Sequence, residues 1–311
     1  MFKYLLKRLA SGAITVWFIA SATFWAMHSV PGDPLLNDKA VDPEIRKNLE
    51  ESYGLDKSLW HQYGLFLGNM LQGDFGYSYT QRNRKVNDII RDHFPVSALL
   101  GVIALLIAVS GGVVFGAITA VYKDRMPDHI IMVIVILTVS IPNFVFAALS
   151  QLGVLNLNQW LGNTFLPVAG WGSWQHIVLP AWVLGLGTLA YLTRLMRSSL
   201  LEEEGRGYTL TAHAKGLSRF RILYKHQLKN AILPVITVIG PTIAAITTGG
   251  FVVELVFSIP GLGRYYVQAV QQLDYTVIMG TTVFYGTFLV IMVVLVDIVY
   301  GFIDPRIRVG Q

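Results

Sequence analysis

A long stretch without charge sets the first limit on the fold. From Ile130 to Thr193 the sequence contains no Asp, Glu, Lys or Arg, a run of 64 residues. A water-soluble fold presents polar side chains on its outer faces, and about 25% of the residues of an average soluble protein are charged. In this chain of 311 residues the charged fraction is 14%. The sequence therefore excludes an ordinary soluble enzyme, a nucleic-acid-binding module and a disordered chain, and it predicts an all-α integral membrane protein.

Six segments are apolar enough to cross a membrane as helices, which requires about 20 residues for about 30 Å of hydrocarbon. Within them, Asp297 is the one residue of the types Asp, Glu, Lys and Arg. The first segment follows Lys3, Lys7 and Arg8 as in a signal peptide, but its 22 residues exceed the usual apolar region, so we interpret it as an uncleaved helix. The predicted spans cover residues 9–30, 97–122, 130–153, 176–193, 231–253 and 275–302.

The distribution of Lys and Arg predicts the orientation of these spans. With the N-terminus inside, the cytoplasmic segments 1–8, 123–129, 194–230 and 303–311 hold 15 of the 24 basic residues. Eight more lie in the long outer segment, where charge has little influence on topology. We therefore expect a multi-pass protein of the cytoplasmic (inner) membrane, with six transmembrane helices and both termini in the cytoplasm.

This topology divides the chain into three parts. Residues 1–30 hold the N-terminus and first helix, 31–96 form a helical extracytoplasmic segment, and 97–311 form a membrane core of five helices. In the outer segment, Asp42 with Pro43 is expected to start one helix that Gly54 ends, and Ser58 and Gly73 are expected to bound a second. The segment fits either a solvated cap on the membrane helices or a docking surface for an extracytoplasmic partner.

The cytoplasmic segment 194–230 is the second large polar region. Glu202–Glu204 are expected to end one helix, and Thr209 is expected to cap a short helix that stops at Gly216. Small residues of that helix, such as Ala212, would let a partner approach its backbone closely. The segment fits either a short helix that transmits movement to two membrane helices or an ordinary loop whose basic residues meet anionic lipid.

The sequence T-A-H-A-K-G-L-S at 211–218, followed by N-A-I-L-P at 230–234, resembles the cytoplasmic coupling motif of ABC importer permeases. The separation of 18 residues between Gly216 and Pro234 is longer than the commonest importer spacing and is similar to that of the dipeptide/oligopeptide branch. Within this branch, the chain resembles the B-type permease subunit best. The leading Glu of the general motif is missing, as is common in that branch. The resemblance extends to K-Y-L-L-K-R-L at 3–9, V-P-G-D-P at 30–34, G-D-F-G-Y-S-Y at 73–79, F-P-V-S at 94–97, S-I-P-N-F at 140–144, E-L-V-F-S-I-P-G-L-G at 254–263, D-Y-T-V-I-M-G at 274–280 and I-D-P-R-I at 303–307.

The resemblance implies a non-catalytic permease subunit that imports oligopeptides or dipeptides across the membrane. Its partners would be a second, homologous permease, two ATPase chains that bind ATP and Mg, and an extracytoplasmic peptide-binding protein. The chain itself contains no G-x-x-x-x-G-K-[ST] loop, so we expect no nucleotide, cofactor or metal on it. The residues that would couple to the ATPases are Thr209, Leu210, Thr211, Ala212, His213, Ala214, Lys215, Gly216, Leu217 and Ser218.

Other functions are less compatible with the residues. Permeases for a nickel complex or for glutathione resemble the same branch, and this sequence does not separate them from peptide permeases. A secondary transporter usually carries ionisable residues near the membrane midplane, but here Asp297 is alone within the spans and no inverted repeat is visible. A membrane enzyme would require a cluster of acid, base or nucleophile, and the sequence offers none.

A few residues in or beside the spans are candidates for a gate or translocation pathway. Pro142 interrupts the third span. This proline either lines a pore or only kinks the helix. Glu254 directly follows the fifth span at its outer end and serves either as a gate or partner contact or as an interfacial residue. Asp297 makes either a helix–helix hydrogen bond or a pathway contact. The full candidate set is Pro142, Asn143, Glu254, Pro260, Gly261 and Asp297.

Overall fold

In the computed structural model the chain is described at residues 2–30, 54–81 and 84–303, and it is almost entirely helical there. A five-residue π-helix, Leu223–Gln227, lies between two short α-helices. The helices are α1 Phe2–Ser29, α2 Leu59–Leu71, α3 Val86–Val121, α4 Met126–Ser140, α5 Asn143–Leu161, α6 Gln175–Glu204, α7 Gly207–Ala214, α8 Arg219–Ile222, α9 Leu228–Ala231, α10 Leu233–Gly249, α11 Phe251–Val256, α12 Leu262–Gln271 and α13 Tyr275–Ile303.

The membrane-crossing helices agree with the hydropathy of the sequence. Among the described residues, five helices are long and apolar enough to span, and the bent pair α4–α5 makes a sixth if it counts as one span. The helix of the second span begins at Val86 rather than at 97, and the helix of the fourth continues to Glu204 rather than ending at 193. A helix keeps its backbone hydrogen-bonded as it leaves the hydrocarbon, so charged residues can extend it at either end.

The third span is broken in the middle. The helix axis bends by 110° between α4 and α5, and Ile141 and Pro142 separate the two helices. Pro142 has no backbone N–H to continue α4, and its carbonyl instead accepts the first hydrogen bonds of α5, from the amides of Val145 and Phe146. The predicted interruption at Pro142 is confirmed, and it is a sharp break rather than a mild kink.

Contact density divides the chain into two compact units. The first comprises residues 1–97 and 260–294, and the second comprises 98–259 and 295–311. In the first unit, α1 and α13 approach closely at two glycines. A Cβ atom on Gly12 would lie 2.6 Å from Cγ1 of Val290, and one on Gly286 would lie 2.9 Å from Cδ1 of Ile19. Such contacts are typical of membrane helices that pack through small residues.

Helix α2 belongs to the first unit and packs on the end of α1. Ser58 precedes it and Gly73 follows it with φ of +74°, which confirms the second helix predicted for the outer segment. The first helix predicted there, from Asp42 to Gly54, lies largely outside the described residues. Helices α1 and α2 share an aromatic cluster around Phe24 of α1. Phe24 is buried against Tyr63 and Phe66 of α2 and against Tyr275 and Met279 of α13.

A buried carboxylate joins the loop before α3 to the start of α13. Asp274 accepts hydrogen bonds from the hydroxyls of Ser78, at 2.5 Å, and Thr80, at 2.9 Å. It also accepts from the backbone amides of Tyr79, Thr80 and Val277, each at 3.2 Å. The five donors share the charge of a side chain that is almost completely buried. Asp274 therefore holds the loop in place through charge-assisted hydrogen bonds.

We expect Asp274→Ala to destabilise the first unit by at least about 3 kcal/mol, because it leaves several buried donors without an acceptor. Thermal unfolding of the purified protein in detergent measures the change. Asp74→Ala is the matched control, since the exposed Asp74 carboxylate accepts a bond from the amide of Gly76 and its loss should cost about 1 kcal/mol. Equal shifts for the two variants would contradict a special role for Asp274.

The second unit is built around the packing of α3 on α6. A Cβ atom on Gly111, Gly112 or Gly116 would approach a side-chain atom of α6 within 2.7 Å. At Gly112 the neighbour is Cβ of Leu192, and at Gly116 it is Cβ of Met196. The three glycines therefore permit a helix separation that larger residues would prevent.

A buried ion pair fastens α4 to α6 in the same unit. Arg197 donates to Asp128 twice, from Nε at 2.9 Å and from Nη2 at 2.7 Å. The Asp128 side chain is 3% exposed, and it also accepts a hydrogen bond from the amide of Asp124. Asp128 lies in the first turn of α4, where a negative charge is favoured by the helix dipole.

Candidate functional site

The short helix α7 forms the centre of the predicted coupling segment. Helix α6 ends at Glu204, and α7 begins at Gly207 with Arg206 as its N-cap residue. The prediction that Thr209 caps this helix is wrong. Thr209 lies inside the helix and is buried, and its hydroxyl donates to the carbonyl of Glu203 at 2.8 Å. The predicted end is confirmed, because Gly216 takes the left-handed conformation with φ of +73°.

Side-chain hydrogen bonds tie α7 to the helices on both sides of it. The Tyr208 hydroxyl donates to the carboxylate of Glu203, at the end of α6. The same hydroxyl accepts a hydrogen bond of 3.0 Å from the side-chain amide of Asn230, in α9. With the Thr209–Glu203 bond, these contacts connect α7 to one helix before it and one after it. A force on α7 would therefore reach both.

The Tyr208 hydroxyl remains protonated in this network. Partial burial raises the pKa of Tyr208 above that of a free phenol, and its hydrogen bond to Glu203 raises the pKa further. The side chain therefore acts as a neutral donor at physiological pH. The link between α6 and α7 does not depend on its titration.

Exposed ion pairs surround the same junction. Arg206 contacts Glu202 at 2.5 Å, and Arg219 contacts Glu204 at 3.6 Å. Exposed pairs of this kind contribute about 0–1 kcal/mol each, because water screens them and long side chains lose entropy. They neutralise part of the acidic end of α6, whereas the partly buried Glu203 carries the structural link.

The exposed surface of the coupling segment is a mixture of apolar and basic side chains. Of the ten predicted residues, Thr209 and Ala212 are buried and Leu217 is half-buried. Ala212 thus faces the chain's own core rather than a partner, contrary to the expectation from its size. Leu210 is 59% exposed. The exposed residues are Leu210, Thr211, His213, Ala214, Lys215, Gly216 and Ser218.

The predicted pathway residues are divided between the two compact units. Pro142 and Asn143 lie together at the α4–α5 break and are both exposed. Glu254 is buried within α11, where its carboxylate oxygen Oε1 lies near Gly250. The carbonyl of Pro260 accepts a hydrogen bond of 2.9 Å from Nδ1 of His93.

The other two pathway residues carry less structural information. Gly261 is the N-cap residue of α12. Asp297 lies on α13, and its side chain is outside the described residues. In residues 2–30, 54–81 and 84–303, no three side chains of His, Asp or Glu are grouped as metal ligands.

Sequence reasoning missed the residues that anchor α7. Tyr208 and Asn230 are separated by 22 positions, and neither is among the ten predicted coupling residues. A tyrosine directly before those ten residues and the asparagine that opens N-A-I-L-P were the available signals. They did not indicate that the two side chains meet.

The long apolar helices define a multi-pass membrane protein in which the short surface helix α7 is fixed between α6 and α9. The family described as binding-protein-dependent transport system inner membrane component matches residues 112–309. Its N-terminal counterpart, described as binding-prot-dependent transport system membrane comp, N-term, matches residues 1–101. Together the two matches cover nearly the whole chain.

Curated relatives match over their full lengths. The chain is 44% identical over 312 residues to the dipeptide transport system permease protein DppB of Bacillus subtilis, covering 100% of this chain and 99% of that relative. It is 38% identical over 310 residues to the oligopeptide transport system permease protein OppB of Haemophilus influenzae, covering 99% and 100%.

A solved structure supports the fold. A chain of the MetNI methionine ABC transporter in inward facing conformations matches with a TM-score of 0.52 and 18% identity, covering 72% of this chain and 96% of that chain. The protein therefore belongs to the family of inner membrane components of binding-protein-dependent transport systems. It is a permease subunit of an ABC importer, and a permease of this family is not itself the ATPase.

Proposed function

We propose that this chain is one of two membrane subunits that import short peptides through the cytoplasmic (inner) membrane. The observation that carries the peptide assignment is its full-length identity to permeases named for dipeptides and oligopeptides, at 44% and 38%. A nickel complex or glutathione remains the alternative cargo, because those permeases resemble the same branch. An ion-gradient-driven carrier is disfavoured by the family assignment.

In this proposal α7 is the contact through which ATPase subunits move the permease. Its exposed residues include Leu210, an apolar side chain inside the helix, and Gly216, a position without a side chain just after it. A partner cleft could bury the leucine and approach the backbone at the glycine. The hydrogen bonds of Tyr208 and Thr209 would then carry the displacement into α6 and α9. Movement requires that ATP-bound and ATP-free partners bind the two permease states with different free energy.

The remaining partners follow from the class of transporter. A second, homologous permease would supply the other half of the pathway, and two ATPase chains would hold ATP and Mg. An extracytoplasmic binding protein would deliver peptide at the opposite membrane face. For this chain we propose that Pro142, Asn143, Glu254, Pro260, Gly261 and Asp297 contribute to a gate or to the pathway.

The test is uptake by a reconstituted complex. The chain is tagged and isolated from native membranes with its co-purifying subunits, which are identified and reconstituted in proteoliposomes with the binding protein on one side and ATP on the other. We expect accumulation of a labelled dipeptide or pentapeptide that stops without ATP. The isolated chain should hydrolyse no ATP.

The same vesicles distinguish the alternative cargoes. Labelled glutathione and a nickel chelate are offered at the concentrations used for the peptides. Uptake of either one in preference to both peptides would overturn the peptide assignment while leaving the permease class intact. Uptake driven by a proton or sodium gradient without ATP would overturn the ABC mechanism for this chain.

A further inference from the structure

We infer that α2 lies in the membrane interface, with one of its faces in contact with lipid acyl chains. Helix α2 runs from Leu59 to Leu71, and in the described structure none of its residues is fully buried by protein. Its sequence, L-W-H-Q-Y-G-L-F-L-G-N-M-L, contains no Asp, Glu, Lys or Arg. The apolar side chains that the protein leaves exposed on this helix would be more stable in an apolar environment than in water.

The two most exposed apolar side chains of α2, Trp60 and Leu71, lie on one face, whereas Leu65 is 45% exposed on the polar side. Trp60, Gly64, Leu67 and Leu71 follow one another at intervals of four, three and four residues, which aligns them along one side of a helix. Trp60 is 71% exposed and Leu71 is 82% exposed. A neighbouring side of the helix carries the polar residues His61, Gln62 and Asn69, and a third side packs on α1.

The contacts with α1 place α2 at membrane depth. From Leu9 to Ser29, α1 contains no charged residue and is about 31 Å long, close to the ~30 Å thickness of the hydrocarbon. The Tyr63 hydroxyl is 2.6 Å from the hydroxyl of Ser21. Ser21 lies about 12 Å along the axis from Ser29, so this contact is well below the end of the span.

Aromatic contacts mark the level of the interface. The ring of Trp60 packs edge-on against that of Trp25 with centroids 5.0 Å apart. Trp25 is one turn from the end of α1, where tryptophan is enriched at the boundary between headgroups and acyl chains. Further along the apolar part of α1, Trp17 and Phe18 are exposed as well.

These observations favour lipid over a protein partner. The stripe from Trp60 to Leu71 offers no charge for a partner to recognise, and α1, on which α2 packs, has no charged residue from Leu9 to Ser29. An amphipathic helix that lies in the interface buries its apolar face about 5–10 Å below the headgroups. Helix α2 would thereby anchor the outer segment to the leaflet in which α1 ends.

Single cysteines can test this inference because the chain has none of its own. Nitroxide labels are placed at Trp60→Cys, Gly64→Cys and Leu71→Cys in the full-length chain, reconstituted in phosphatidylethanolamine and phosphatidylglycerol vesicles. A Cβ atom at Gly64 meets no heavy atom within 4 Å, so this substitution fits without a clash. We expect collisions with O₂ to exceed those with an aqueous nickel complex several-fold at all three positions.

Asn69→Cys is the matched control, since Asn69 is exposed on the polar side of the same helix. It should collide several-fold more with the nickel complex than the stripe positions do. Equal access of the nickel complex to positions 64, 69 and 71 would place the stripe in water and overturn the inference. Low access of both reagents to the stripe would mean that protein covers it, which also overturns the inference.

Discussion

Gly216→Phe is expected to lower ATP-driven peptide uptake at least tenfold while leaving the amount of the chain in the membrane nearly unchanged. Gly216 has φ of +73°, and a Cβ atom there would meet no heavy atom within 4 Å. Backbone strain at this exposed turn therefore lowers the stability of the chain's own fold by about 1–2 kcal/mol. The new side chain would project from the surface on which we propose that an ATPase docks. A loss of about 1.4 kcal/mol in docking lowers that affinity tenfold.

Gly162→Phe is the matched control for this prediction. Gly162 ends α5 with φ of +67°, and a Cβ atom there also meets no heavy atom within 4 Å. The backbone cost is therefore similar, but the position belongs to a segment that we predict on the opposite side of the membrane. Uptake is measured in proteoliposomes and normalised to the chain present. Equal loss of uptake in both variants would contradict a coupling role for Gly216.

Gly216→Asn separates the two possible causes of a loss at this position. Asparagine tolerates the left-handed conformation, so the turn should persist, but its side chain still occupies the surface. We expect Gly216→Asn to reduce uptake while the unfolding temperature of the chain stays unchanged. Normal uptake would mean that the conformation of the turn matters and close approach of a partner does not.

Most of the membrane architecture could be predicted from the sequence because hydrocarbon imposes simple rules. Each predicted span has a counterpart among the five long helices and the bent pair α4–α5. A helix is the one local structure that satisfies its backbone within a single apolar segment, so composition suffices to find it. The orientation of the helices stays a prediction from the positions of Lys and Arg.

The geometry of the broken span could not be predicted from its residues. Pro142 predicts that the helix is interrupted, but tertiary contacts decide the direction in which it continues. Gln151 of α5 donates to the carbonyls of Val168 and Val256, each at 3.1 Å, which holds α5 against two distant segments. The 110° angle depends on these long-range hydrogen bonds as well as on the proline.

The coupling segment shows the same division between local and tertiary information. Gly216 was correctly placed at the end of α7, because a left-handed residue after a helix favours glycine. The start was misplaced, because Thr209 has a stronger partner in the carbonyl of Glu203 than in its own helix. Which residues of α7 face outward depends on that contact, and so does the burial of Ala212.

Arg197→Ala is expected to destabilise the second unit by about 3–5 kcal/mol, which is typical when one partner of a buried ion pair is removed. The sequence gives no sign of this pair, because its members are 69 positions apart on different helices. Asp128 is 3% exposed and would keep a single backbone donor, the amide of Asp124. We expect a lower unfolding temperature in detergent and less chain in the membrane.

A double-mutant cycle isolates the interaction between the two side chains. Asp128→Ala with Arg197→Ala should cost clearly less than the sum of the single changes, because the double variant leaves no buried charge. Asp92→Ala is the surface control, since Asp92 pairs with Arg84 where both side chains are exposed, and it should cost less than about 1 kcal/mol. Exchange of the charges, Asp128→Arg with Arg197→Asp, should restore only part of the stability, because it puts a positive charge in the first turn of α4. Strict additivity of the two alanine changes would mean that the pair does not hold α4 to α6.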